Sequence, residues 1–355
     1  MARLAILPHE SANRVYGSQV LTLLSAELLT IADHLETGID DVCPVEMGSV
    51  PYLTFEAGTA DDPPGDADRF LLSNLSGTRA LFRVCDDRRA GRAGGPTLEP
   101  LSIDRLACFD DDLVTTQRYP GKTNEQFTHL LVNVGVAASD AARRRAASGL
   151  PVRILDPVAG RGTTLNRALL AGYDATGIEV AEADVDQYRT FLTTYLRGHR
   201  VKHRLDTTRV RKGPAAGTSS FTVTIRGSQR CEMIRADTTD AALVLKQRSA
   251  DVIVADLPYG VQHRAAGATA QRRSPGELLD AALPGWRASL RRDGAIVLAW
   301  NLLTLPRADV EELLTGHGFV VVPPAAPFEH VVDRSITRDL IVARAADRPG
   351  RRRDP

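Results

Sequence analysis

The stretch Asp251-Val-Ile-Val-Ala-Asp-Leu-Pro-Tyr-Gly260 carries residue types that can do chemistry at the end of a strand. Residues 252–255 form a short apolar run, the pattern of a buried strand. Asp256 stands at its carboxyl end. Pro258 offers no N–H and Gly260 accepts a sharp turn, so the strand stops there. In an open parallel α/β sheet, ligands bind outside the carboxyl ends of the strands. Asp256, Leu257, Pro258 and Tyr259 are therefore the candidate reaction site. A carboxylate or carbonyl there can accept N–H hydrogen bonds, and an aromatic ring can stack on a planar substrate. Taken alone, these residues also fit a plain strand followed by an Asp/Pro turn.

Two more strand ends carry acids. Residues 152–155 run into Asp156-Pro-Val-Ala-Gly-Arg-Gly162-Thr-Thr. Gly160 and Gly162 let the backbone pass close to a ligand, and Thr163 opens a helix that ends near Gly172. A nicotinamide fingerprint would place glycine three residues after Gly162, where Leu165 stands. Residues 175–178 form a second strand ending in Glu179, an acid placed to take ribose hydroxyls. Residues 232–237 form a third, ending in Asp237, which also suits a helix N-cap.

The elements that must position these acids are legible around them. Pro120-Gly-Lys-Thr-Asn-Glu-Gln-Phe127 opens a helix. Thr123 and Gln126 have capping-box spacing, and Phe127, Leu130, Leu131, Val134 and Ala138 share one face. Gly121-Lys-Thr lacks the upstream glycine of a phosphate-binding loop, which excludes an NTPase. Helices are expected over 181–196 and 278–290, and strands over 295–300, 319–322, 328–332 and 340–343. In the first part, strands are expected at 4–7, 52–55, 80–85 and 113–117. Helices are expected there at 13–35 and 68–75, and a loop at 88–96.

Gly121-Lys-Thr-Asn, Asp156-Pro-x-x-Gly-x-Gly and Asp256-Leu-Pro-Tyr-Gly260 together resemble one family, over about residues 119–345. It is the class I S-adenosylmethionine-dependent methyltransferases of the Trm-eleven-like, THUMP-associated group, which act on tRNA guanosine N2. The resemblance implies an α/β fold, a Rossmann-like class I methyltransferase sheet with helices on both faces. It implies S-adenosyl-L-methionine as cofactor, held by Thr123, Asp156, Gly160, Gly162, Thr163, Glu179 and Asp237, with Asp237 facing the adenine amino group. It also implies methyl transfer to an exocyclic amino group of a nucleic-acid base, guanosine in tRNA first, without a metal. Residues 1–115 show no recognisable THUMP domain, a departure from the group. Two rivals stand beside this reading: an amino-directed DNA methyltransferase, and a non-catalytic nucleic-acid-binding protein on the same fold.

Composition sets the frame. The 355 residues are 43% hydrophobic and 25% charged, ordinary for a soluble protein of about two domains. Net charge is zero but uneven. Residues 1–115 hold 9 Lys+Arg against 19 Asp+Glu, leaving 35 against 25 for the rest. A polyanion partner for the second part follows, or two domains that attract each other. Residues 197–212 hold seven Lys+Arg against one Asp and read as an inserted basic hairpin. Arg200, Lys202 and Arg204 there, with Arg264, Arg272 and Arg273 in a loop after Gly260, are the candidate nucleic-acid contacts, RNA before DNA. The four scattered cysteines read as free thiols of a reducing cytoplasm, and no run is long enough to span a membrane. The expected domains are a small acidic α+β domain over 1–116 and a methyltransferase domain over 117–346 with the basic insertion 197–230. A disordered tail is expected over 347–355.

Overall fold

The computed structural model describes residues 2–9, 17–59, 64–85, 96–210, 215–258 and 274–346. They form two compact units, Met1–Leu106 with Pro324–Asp333, and Ala107–Pro323 with Arg334–Pro355. The first unit is thus completed by a segment that returns from late in the chain, which no local sequence pattern announces.

Among the described residues, the first unit is an antiparallel sheet with two α-helices. Its strands are β1 (Ala2–Pro8), β2 (Asp40–Met47), β3 (Val50–Ala57), β4 (Thr78–Cys85) and β5 (Thr97–Leu101), in the order β2-β3-β1-β4-β5. The helices α1 (Val20–Ile31) and α2 (Asp66–Ser73) supply Leu23, Leu24, Leu28 and Leu72 to the core. Two of its acids are buried and structural. Glu27 accepts from the Ser76 N–H, and Asp68 accepts from the Glu36 and Thr37 N–H groups. The returning segment is held by Gln19, whose amide both donates to the Val331 carbonyl (2.8 Å) and accepts its N–H (3.1 Å). Strands β2 and β5 escape sequence reading because both are largely solvated and each contains a proline.

The second unit is an open mixed sheet. In chain order it has α3 (Asp112–Thr115), α4 (Glu125–Ala138), α5 (Asp140–Ala147), β6 (Arg153–Asp156), α6 (Thr163–Leu170), β7 (Asp174–Glu179) and α7 (Glu182–Gly198). Then come β8 (His203–Arg209), β9 (Ser219–Ile225), β10 (Gln229–Arg235), α8 (Ala241–Val244), β11 (Ala250–Asp256), α9 (Pro275–Ser289) and β12 (Leu290–Asn301). The chain closes with α10 (Arg307–Gly316), β13 (Phe319–Val322), β14 (His330–Asp333, within the first unit) and β15 (Ile336–Ala345). The strand order is β13-β15-β12-β11-β6-β7-β10-β9-β8. The five strands from β12 to β10 are parallel, while β15 and β9 run against their neighbours. This is the expected Rossmann-like sheet.

Helices cover both faces. On one, Gly135 of α4 lets the helix press onto Val252, Val254 and Val297, where any Cβ would collide. On the other, Ile253, Ala255, Ile296 and Leu298 pack with Trp286 of α9 and Val310 of α10. The central strand β11 is buried on both faces, which is why it reads as an unbroken apolar run rather than an alternating one.

Two local expectations are corrected. Residues 113–117 are not a strand: Leu113 and Val114 lie in the helical turn α3, closed by Thr115 N–H to Asp111 O at 3.1 Å. Helix α4 is capped by Asn124, one residue after Thr123, with Asn124 Oδ1 accepting from the Gln126 and Phe127 N–H groups. Asparagine serves this position as well as threonine, so spacing alone could not choose between them. Thr123 is thereby released for another partner. The inserted segment is a hairpin as expected, β8 with β9, added beyond β10. The proposed tail lies outside the described residues. Among the described residues no helix is long and apolar enough to cross a membrane.

Candidate functional site

The chain runs from β6 outward through β7 to β10, then returns to the other side of β6 for β11 and β12. The strand order therefore reverses between β6 and β11. In sheets of this kind the ligand crevice lies at the carboxyl ends of the strands at that point. Asp156 ends β6, Glu179 ends β7, Asp256 ends β11, and Asp237 follows β10. The register sets their heights. Asp156 pairs with Gly177, two residues short of Glu179, and Leu155 pairs with Ile253, so Asp156 aligns two residues short of Asp256. Asp156 is thus the floor of the crevice, and Glu179 and Asp256 rise on either side.

Depth decides the chemistry of Asp156. It is 4% exposed, and burial raises its carboxyl to about 7. Hydrogen bonds from Thr164 and from the Val158 N–H (3.0 Å) oppose this, while Asp256 and Glu179 push the same way. Glu179 is held by backbone: Oε2 accepts the Gly160 N–H at 2.9 Å and Oε1 the Ala181 N–H at 2.8 Å. Each carboxylate oxygen can take a second hydrogen bond, so this clamp is compatible with gripping a diol. Asp237 caps the short helical turn after β10, its Oδ1 accepting from the Thr239 N–H (2.9 Å) and hydroxyl (2.8 Å). Its N-cap role is therefore real.

The glycine loop is fixed from below. Gly162 has φ +78°, and a Cβ there would strike the ring of Tyr188, whose hydroxyl is anchored to Asn166 Oδ1 at 3.1 Å. Gly162→Ala combines left-handed strain with a buried collision. It should lower stability by roughly 2 kcal/mol or more, read as a fall in the thermal midpoint. An unchanged midpoint would show that the loop does not depend on this glycine. From above, the Tyr119 hydroxyl meets Thr163 Oγ1 at 3.0 Å. Arg161 lies over the Tyr119 ring at 4.7 Å and donates to Asp184 Oδ1 at 2.7 Å.

Asp256 is oriented from two directions. The Thr123 hydroxyl donates to its Oδ2, and Arg338 Nη2 lies 3.8 Å from the same atom. Thr123, proposed as a cofactor residue, thus faces the Asp256 carboxylate. Arg338, on β15, was not among the proposed site residues. It is 6% exposed, with its guanidinium over the Phe127 ring at 4.8 Å. An arginine inside an otherwise buried strand is the signal that could have found it, since a buried charge requires a partner. Leu257 is buried, and its N–H donates to the Ala299 carbonyl at 2.8 Å. This bond fixes the first step of the chain out of the strand, and Pro258 is exposed beyond it. Tyr259, Arg264, Arg272 and Arg273 lie outside the described residues.

No protein-family model and no curated protein matches this chain. Solved structures are similar to part of this chain. One is the 1,6-didemethyltoxoflavin-N1-methyltransferase of Burkholderia thailandensis, at 16% identity over 58% of this chain and 76% of that one, TM-score 0.35. Another is the magnesium protoporphyrin IX methyltransferase of Synechocystis, at 15% identity over 63% and 86%, TM-score 0.36. A third is an rRNA methylase of Streptococcus thermophilus, at 11% identity over 64% and 100%, TM-score 0.36. The fold rests on the strand order and register, not on these overlaps.

The basic hairpin is oriented by its register. Arg204 pairs with Thr224, which pairs with Arg230, at the amino edge of the sheet. Arg200 and Lys202 precede β8 at that same edge. These three residues are therefore brought together with one another but not with the acids, which stand at the carboxyl edge. A pattern of charge along a strand cannot say which end faces the crevice. A further cluster, Asp110 and Asp112 around His199, also lies apart from the acids. Each imidazole nitrogen faces one carboxylate, at 3.4 and 3.0 Å.

Proposed function

We propose that this chain is an S-adenosylmethionine-dependent methyltransferase acting on an exocyclic amino group of a nucleic-acid base. The observation that carries the reading is the set of acids at the strand ends. Asp156, Glu179 and Asp256 converge at one switch point, the first of them buried, and such a surplus of negative charge calls for a cationic ligand. The donor set fits S-adenosylmethionine, which carries an ammonium and a sulfonium at its methionine end and a diol on its ribose. Asp156 and the glycine loop would take the methionine end, Glu179 the ribose hydroxyls, and Asp237 the adenine amino group.

When bound, the cofactor supplies a methyl already activated by its sulfonium. An exocyclic amino group is a weak nucleophile, because its lone pair is delocalised into the ring. Asp256 would accept an N–H from it and stabilise the positive charge that develops on nitrogen. Thr123 and Arg338 hold that carboxylate in one orientation before substrate arrives, so little reorganisation is needed during reaction. Tyr259, directly after Pro258, is assigned to stack on the base. The same residue order motivates the assignment to bases rather than to carboxylates or thiols. RNA, with tRNA guanosine first, is the substrate to test, and DNA the second.

The test is incubation with methyl-labelled cofactor and total RNA, DNA and protein in parallel, followed by nucleoside digestion. Label in an N-methylated base is the expected result. Label confined to protein, or to a small molecule present in the fractions, would overturn the substrate class while leaving the cofactor site standing.

A further inference from the structure

We propose that the carboxyl end of the β8–β9 hairpin is a docking groove for the phosphodiester backbone of the nucleic-acid substrate. The inference rests on the nucleic-acid reading given above. It begins with a row of residues set by strand register. Arg209 pairs with Ser219, Ser219 with Arg235, and Arg235 with Glu179. Because paired residues share a face and a height, Arg209 stands level with the proposed ribose acid, three strands away. At ~4.8 Å per strand that is roughly 14 Å. The inserted hairpin therefore carries one of its basic ends to the edge where the chemistry is, and it is the end opposite Arg204.

A groove lies at this end, between α7 and the two hairpin strands. Its volume is about 230 Å³. That is below the ~300 Å³ where pockets for drug-sized ligands begin, so it suits a chain crossing over it rather than an enclosed small molecule. Val185 and the buried Phe221 form its floor. Arg189, Asp186 and the strand residues Thr207, Arg209 and Ser219, which share the face of Phe221, line its sides. Hydroxyls and guanidiniums around an open trough are the groups that contact phosphate oxygens. Arg189 is already paired with Asp186 at 3.0 Å, which leaves Arg209 as the main cation among the described lining residues. Arg209 is exposed at the end of an edge strand, so a backbone can reach it without any rearrangement of the sheet.

The contrast between the two ends of β8 gives the test. Arg204 and Arg209 lie on one exposed strand, five residues and roughly 17 Å apart. Binding of a short fluorescein-labelled single-stranded RNA of mixed sequence would be followed by anisotropy over a range of salt. The same length of DNA and a polyglutamate competitor form parallel arms. Arg209→Glu should weaken RNA binding by about five- to tenfold and flatten its salt dependence, whereas Arg204→Glu should change it less than about twofold. Thermal melts of both variants confirm folding, and Arg209→Lys should retain most of the affinity. Equal losses from Arg204→Glu and Arg209→Glu would overturn the groove in favour of diffuse attraction. So would no nucleic-acid binding by the wild type, or polyglutamate competing as well as RNA. Cofactor binding, measured separately by calorimetry, shows whether the methyltransferase reading survives such a result. Tighter binding of DNA than RNA would keep the groove and change the substrate.

Discussion

Asp256→Ala should transfer methyl groups at least about 100-fold more slowly than the wild type, with cofactor affinity nearly intact. The size follows from the loss of one preorganised acceptor aimed where charge develops. The separation of rate from affinity follows from position. Asp256 ends β11 on the far side of the switch point from Glu179, and its partners are Thr123 and Arg338. Because Arg338 is buried, removing its acidic neighbour also costs stability, so the variant must be shown folded at the assay temperature. Asp256→Asn keeps the side-chain shape and one acceptor, and should lie between the two. Single-turnover rates at saturating cofactor are the measurement. Wild-type turnover by Asp256→Ala would remove Asp256 from the reaction. Loss of cofactor binding instead would move it into the cofactor site.

The second large effect concerns pH. Burial raises Asp156 to about 7, so in the free protein it is largely protonated below that pH. A cationic ligand needs the carboxylate. Affinity for S-adenosylmethionine should therefore fall by up to about tenfold per pH unit as pH drops below 7, and level off above it. Asp156→Asn should bind weakly and lose this dependence. Stability of the ligand-free protein runs the other way. The folded-state pKa lies above the ordinary value of 3.8, so the neutral carboxyl's contribution is complete below about pH 4 and is lost as pH rises through 7. Asp156→Asn should accordingly be the more stable protein above pH 7, by roughly 2–4 kcal/mol. Titration calorimetry across pH 5 to 8, with thermal melts of both proteins, tests both halves. A flat pH profile for the wild type would show that Asp156 does not meet the cation.

The parts of the site that lie on single strand ends were legible in the sequence. A buried parallel strand reads as an apolar run that stops at an acid; proline follows Asp156 directly and Asp256 one residue later, while Val180 follows Glu179. Asp156, Glu179 and Asp256 could thus be placed before their neighbours were known. What depends on pairing was not legible. Arg338 reaches Asp256 only because β15 lies beside β12 and against the first turn of α4, a relation of residues far apart in the chain. The direction of the hairpin depended in the same way on register, which sets Arg200, Lys202 and Arg204, the candidate nucleic-acid contacts, at the edge opposite the acids. Residues 113–117 failed for a local reason. Five residues with two apolar positions are too few to separate a helical turn from a strand.

The most direct test of the central claim is titration calorimetry of the folded wild-type protein with S-adenosylmethionine and with its demethylated product. Both should bind at one site. Glu179→Ala should weaken both by roughly 1.5–3 kcal/mol, the cost of hydrogen bonds lost to a charged group. No binding of either compound by the folded wild type, at pH 7 and above where Asp156 can ionise, would contradict the account.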